Sequence, residues 1–126
     1  MGLNIDNSLD TAHLRQVYGD DHAIIALIFD AFVTDSYTRW QDLKPVLTDH
    51  NLIEAASIVH GLKPSFPMAG MTWLRPKVEE LEQRIKNKNG VAALMELYQE
   101  IDEELDHLIP VLIAEGKRLS AIEPGV

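Results

Sequence analysis

Five histidines are the residues best able to carry nucleophilic or metal chemistry in this chain, which has no cysteine. His60 stands in the most suggestive company, within Ala56-Ser57-Ile58-Val59-His60-Gly61-Leu62-Lys63-Pro64-Ser65. On a helical wheel of about 100° per residue, Ile53, Ala56, Ser57, Lys63, Pro64 and Pro67 fall within about 60° of His60. The apolar stripe of the same segment, Leu52, Ala55, Val59, Leu62, Phe66 and Ala69, centres well over about 100° away. His60 is therefore expected on the solvent face, with mostly small neighbours that leave the ring accessible. An imidazole so placed has a ring nitrogen free to act as a nucleophile near neutral pH. Lys63, one turn later, can bring an ammonium beside an anion on that nitrogen as a mobile point charge. Such an arrangement suits a side chain presented to another protein rather than a pocket enclosing a small substrate.

The elements that must position His60 are all helical, since no stretch shows sustained strand-like alternation. A short first helix is expected over Ser8 to Tyr18, capped by Asn7 or Ser8 and ended by Gly19. Asp20 then caps a long second helix through Ile24, Ile28, Phe32, Leu43 and Leu47, with a break or bend near Asp35-Ser36. Thr48-Asp49-His50-Asn51 turns the chain into the histidine helix. Gly70-Met71-Thr72 forms the next turn, with Thr72 as cap of a fourth helix that reaches Lys86 along Val78, Leu81 and Ile85. Asn87-Lys88-Asn89-Gly90 breaks it. The last helix carries Leu94, Tyr98, Ile101, Leu105, Leu108 and Leu112, and Pro110 should kink it. Short connections favour antiparallel neighbours, so the expected fold is all-α: an up-down antiparallel four-helix bundle with a short additional N-terminal helix. One domain is expected over 1–121, with 122–126 as a flexible tail.

The bulk composition narrows the function classes. A formal charge of −9 over 126 residues argues against nucleic acid and against an anionic membrane surface, both of which call for basic patches. No apolar run reaches the roughly 18 residues of a membrane span. With no signal peptide pattern and no cysteine, a cytoplasmic protein is expected, and a monomer is its default state.

The residues around His60 extend to a wider pattern. His60-Gly61-Leu62-Lys63-Pro64-Ser65, followed by Gly70 and Leu74, resembles the signature of histidine-containing phosphotransfer (HPt) domains, His-x-Leu-Lys-Gly-Ser with a later glycine at the same offset. The likeness extends to helix order over nearly the whole chain. It implies that His60 is the phosphoacceptor, exchanging a phosphoryl group with aspartates on receiver domains of a hybrid sensor kinase or a response regulator. Lys63 matches the lysine that supports the phosphoryl group, and Ala56, Ser57, Gly61 and Pro64 would form the close docking surface. The chain would be a phosphorelay intermediate, not a turnover enzyme. It would need no cofactor of its own, because the Mg²⁺ of transfer belongs to the receiver domain. The alternative is a helical adaptor that binds a receiver or kinase through the same face without transferring phosphate.

Pro64 departs from the family pattern, which has glycine there. Proline removes the amide that would bond the His60 carbonyl and biases Lys63 away from helical geometry. Either the helix continues with a bend and still presents His60, which is the favoured expectation, or it stops and Ser65 caps a new short segment.

Other candidates carry less. Glu104 and His107 have the Glu-x-x-His spacing of a carboxylate-bridged metal site, but such a site needs a second motif, and only one is present. No metal site is therefore expected. His13, His22 and His50 lie near helix ends or turns. Trp40, Trp73, Phe29, Phe32 and Phe66 are expected in the core.

Overall fold

The computed structural model describes residues 4–122, and within them the chain is all-helical, with no strand. The helices are α1 (Thr11–Tyr18), α2 (His22–Ala31), α3 (Tyr37–Thr48), α4 (Leu52–Leu62), α5 (Ser65–Met68), α6 (Arg75–Lys86) and α7 (Val91–Ser120). No helix among the described residues is long and apolar enough to cross a membrane. The expected tail lies outside the described residues except for Ile122, which packs partly buried against the core.

Helix α1 starts later than expected because Asp10, not Asn7 or Ser8, caps it. Its carboxylate accepts the His13 amide at 3.1 Å and the Thr72 hydroxyl at 2.6 Å. That hydroxyl is thereby used in a tertiary bond, so Thr72 does not cap α6. A 3₁₀ turn over Thr72–Leu74 leads into α6 instead, and Pro76 sits in its first turn, where a missing amide costs no helical bond. Gly19 ends α1 at φ 62°, as expected.

Asp21 rather than Asp20 caps α2, accepting the Ile24 amide at 3.1 Å. Between α2 and α3 the expected break is a π-helical turn, Phe32–Ser36, so the chain runs on as one long rod. The widened turn keeps Ile25, Phe29, Phe32, Trp40, Leu43 and Leu47 on the buried side. Ile24, expected in that stripe, is exposed.

Helices α2 and α3 both pack on α7, α3 packs on α4, α4 on α6, and α6 on α7. The centre is aromatic. Trp40 stacks on Tyr98 with ring centroids 4.4 Å apart, and Phe66 meets Phe32 and Trp40 edge-on at 5.4 and 6.2 Å. Polar atoms of the two stacked rings are satisfied. The Trp40 indole donates to Asp102 at 2.9 Å, and the Tyr98 hydroxyl donates to the Trp40 carbonyl at 3.0 Å. Burial holds the Tyr98 hydroxyl above its usual range, so it stays a donor. Trp73 is not in this core; it is exposed and its indole donates to Glu104 at 2.9 Å. The whole expected stripe of α7 is buried, and the helix runs without interruption through Pro110.

Candidate functional site

Helix α4 is set in register from its first turn. Asn51 caps it, its Oδ1 accepting the Glu54 amide at 3.4 Å while its Nδ2 donates to the Glu54 carboxylate at 3.1 Å, a variant of the capping box. Ala55, Val59 and Leu62 are then buried between α3 and α6, which turns Ser57, His60 and Gly61 outward. Ala56 is half-buried, and Pro64 is exposed. Every residue of the expected docking surface thus lies on or beside the accessible face of α4.

Proline at 64 does not carry the backbone out of helical space. Lys63 stays at φ −49°, ψ −50° and Pro64 at φ −69°, ψ −20°. Regular bonding of α4 closes with the Lys63 amide on the Val59 carbonyl at 3.1 Å. It resumes when Met68 and Ala69 donate to the carbonyls of Pro64 and Ser65. Ser65 makes no side-chain cap. The outcome joins both expectations: α4 ends as a bonded helix, yet the chain keeps helical dihedrals through the gap and the ring stays presented. Phe66, buried between Pro64 and Pro67, anchors the far side of the gap in the aromatic centre.

The feature not foreseen in the sequence is Glu82. This α6 carboxylate has a side chain only 3% exposed, and it faces three basic groups. Oε2 accepts from His60 Nδ1 at 2.9 Å, Oε1 accepts from Lys63 Nζ at 2.7 Å, and Lys86 Nζ stands 3.7 Å from Oε2. Burial pushes the Glu82 carboxyl up, but the hydrogen bonds from Lys63 and His60 and the charges of Lys63 and Lys86 outweigh it, leaving the group below its usual range. Glu82 is therefore an anion near neutral pH, and an ionised carboxylate only accepts. The His60 nitrogen facing it must carry the proton. A neutral His60 ring then has its lone pair on Nε2, and the side chain is 71% exposed. One buried carboxylate thus orients the ring and selects the tautomer.

Lys63 is not the freely mobile cation expected from the sequence. Its side chain is only 19% exposed and its ammonium rests on Glu82. Sequence signals for Glu82 existed: it lies four residues after Val78 and three before Ile85, on the margin of the apolar stripe of α6. A carboxylate there must find partners, and the basic residues of α4 lie across the α4–α6 contact.

Gly70 matters for the support of this region. Its φ is +83°, and a Cβ there would lie 2.9 Å from Leu14 Cδ1. Its carbonyl accepts the Asp10 amide at 2.7 Å, tying the turn after α5 to the start of α1. Leu74 is fully buried.

Glu104 is engaged with α6 and the turn before it. The Glu104 carboxylate accepts from Trp73 and from Lys77, both at 2.9 Å. Among the described residues no group of three potential ligands converges on a point that could hold a metal ion. His50 Nε2 lies 2.9 Å from the Asn89 carbonyl, bridging two turns. Comparison with protein-family models, curated proteins and solved structures returned no match.

Proposed function

We propose that the chain is a cytoplasmic histidine phosphotransfer protein that relays a phosphoryl group between receiver-domain aspartates through His60. The observation that carries this reading is the pairing of an exposed imidazole with a buried carboxylate on Nδ1, which leaves the lone pair on Nε2 of an accessible ring. The packing order supports the matching architecture, an up-down antiparallel four-helix bundle. The rod of α2 and α3, then α4, α6 and α7, neighbour one another in a closed ring, with α1 outside it.

In the proposed step the Nε2 lone pair attacks the phosphorus of an aspartyl phosphate on the receiver. The bond from phosphorus to the aspartate oxygen breaks, and the aspartate leaves as a carboxylate beside the receiver's Mg²⁺. No proton need move, because His60 keeps its Nδ1 hydrogen and the ring becomes a cation facing Glu82. Lys63, one of whose three ammonium hydrogens already serves Glu82, has donors left for the phosphoryl oxygens. Return transfer runs the same path backwards. Docking uses the exposed face of α4 around Ser57, Gly61 and Pro64, a modest and transient contact.

The test is phosphoryl transfer from phosphorylated receiver domains with Mg²⁺ to the wild type and to His60→Gln. Label should pass to the wild type alone, in an acid-labile and alkali-stable form. His60→Gln changes one donor to the buried Glu82 carboxylate and should cost about 1 kcal/mol, with the fold intact in a thermal melt. Receiver binding with no transfer to the wild type would refute the relay and leave a helical adaptor.

A further inference from the structure

Gly61 follows His60 on α4, and the group that lies against it comes from another helix. A Cβ at Gly61 would stand 3.0 Å from Nη2 of Arg39 and 3.8 Å from its Cζ and Nη1. The α3 guanidinium therefore rests on α4 one residue past His60, in the space that a missing side chain leaves open. On the helical wheel Gly61 lies about 100° to one side of His60 and Lys63 about 60° to the other. The imidazole is thus bordered towards α6 by the cluster of Lys63, Glu82 and Lys86, and towards α3 by Arg39.

The cations on the two flanks differ in what already occupies them. Lys63 and Lys86 both face Glu82. Arg39 is exposed and forms no ion pair among the described residues. Carboxylates are not scarce, since the chain has 20 aspartates and glutamates to 11 lysines and arginines, and Asp42 and Glu54 line the same shallow cleft as Arg39. Glu54 instead accepts from the Asn51 side-chain amide at 3.1 Å. Arg39 keeps its planar fork of donors for a group outside the fold. Ile53, two turns before His60 on the same face and 88% exposed, gives that face an apolar centre and puts Arg39 at its rim, where interface charges usually sit.

We propose that Arg39 is the specificity-determining contact of the docking face, forming a bidentate pair with a carboxylate side chain that a receiver domain carries beside its phosphorylation pocket. This rests on the relay reading of His60. The ligand is a protein carboxylate rather than the transferred phosphoryl group, because Lys63 already supplies a cation for that group. Most of a surface with net charge −9 repels an acidic partner, so a guanidinium beside the ring helps decide which receivers can dock.

A panel of receiver domains with Mg²⁺, each with and without phosphate on its aspartate, tests this on the whole chain and on Arg39→Ala, Arg39→Lys and Arg39→Glu. Calorimetry reads binding, stopped flow reads transfer, and thermal melts verify that each variant folds. For a receiver that binds the wild type, Arg39→Ala should weaken binding about tenfold and raise the receiver concentration for half-maximal transfer by about the same factor, with the saturating rate within about threefold. Arg39→Lys keeps the charge but not the fork and should recover only part of that loss. Arg39→Glu should bind worst, and one arginine substitution among the receiver's rim carboxylates should restore most of its binding. Phosphoramidate, which can phosphorylate His60 without a partner and releases ammonia, should label the wild type and Arg39→Ala equally. Receivers that bind Arg39→Ala as tightly as the wild type would overturn the inference and leave the relay standing. Slower phosphoramidate labelling of Arg39→Ala would also overturn it, by assigning the guanidinium to the phosphoryl group. Binding that depends on Arg39 with no transfer to the wild type would refute the relay and keep the contact. A wild type that neither binds nor exchanges phosphate with any receiver would overturn both.

Discussion

Replacing Glu82 by glutamine isolates the charge of the carboxylate from its shape. In the wild type Oε1 and Oε2 meet Lys63 at 2.7 Å and His60 at 2.9 Å from a side chain that is almost wholly buried. Breaking a fully buried ion pair costs about 3–5 kcal/mol. Here the cost is smaller, because glutamine keeps one acceptor and because solvent reaches His60 and Lys86. About 1.5 kcal/mol at pH 7 is the expected loss, the low end for a hydrogen bond to a charged group. Unfolding entropy of about 2.1 cal/mol/K per residue gives roughly 0.26 kcal/mol/K for this chain, so Tm should fall by about 6 °C. The sign of the pH dependence follows from the lowered pKa of Glu82. Its stabilisation is fully present above the unfolded value near 4.5 and is lost as pH falls through the lower folded value. The gap between the two melting curves should therefore narrow as pH drops below that range. Nitrogen-15 NMR of the imidazoles reads the other half of the reasoning: His60 should hold its proton on Nδ1 when neutral in the wild type and lose that fixed preference in Glu82→Gln. Equal melting temperatures at pH 7, or a wild-type ring protonated on Nε2 alone, would refute the role assigned to the carboxylate.

Gly70→Ala should destabilise the fold by about 2–3 kcal/mol in urea titration, since it combines a left-handed backbone with a new methyl pressed on Leu14. A loss under about 0.5 kcal/mol would show that Leu14 gives way freely. Pro64→Gly should leave phosphoryl acceptance within about threefold of the parent in a stopped-flow transfer assay, because Lys63 and Pro64 already hold helical dihedrals that glycine can also adopt. Complete loss of transfer would show that the rigidity of the proline maintains the presentation of His60.

Legibility from sequence followed how local the governing interaction was. The stripes of α4 and α7, the exposure of His60, the turn at His50 and the break before Val91 rest on periodicity and turn chemistry within a few residues, and they match the structure. Caps were misplaced where a tertiary partner decided the matter. Asp10 becomes the cap of α1 in a position where Thr72 and Gly70, sixty residues on, also bond to it. Ile24 fell on the wrong side because a π turn shifts the phase of the whole rod, and one extra residue per turn leaves no signature in composition. Helical spacing puts Trp73 inside with the other aromatics, but its indole finds Glu104 at the surface. Glu82 is the residue of the site least legible in sequence, since its meaning depends on α4 lying across from α6.

The cluster around His60 is hard to account for as a stabilising device alone. Apolar residues of similar volume commonly stabilise a protein core as well as a buried ion pair does, or better. Here a carboxylate is buried at the base of an imidazole that is itself left largely in solvent. The local charge sum is also unlike that of the chain. Lys63 and Lys86 outnumber Glu82 by one within a protein of net charge −9, so the neighbourhood of His60 favours an anion that most of the surface repels. In the proposed relay a phosphoryl group on Nε2 would give both facts a use: the cationic ring it creates would meet Glu82, and its oxygens would meet an ammonium already stationed one turn away. The same arrangement explains how the site tolerates Pro64. Ring orientation is set across the helix pair by Glu82, and the burial of Val59 and Leu62 fixes which face of α4 carries the ring, so neither depends on the one backbone bond that the proline removes.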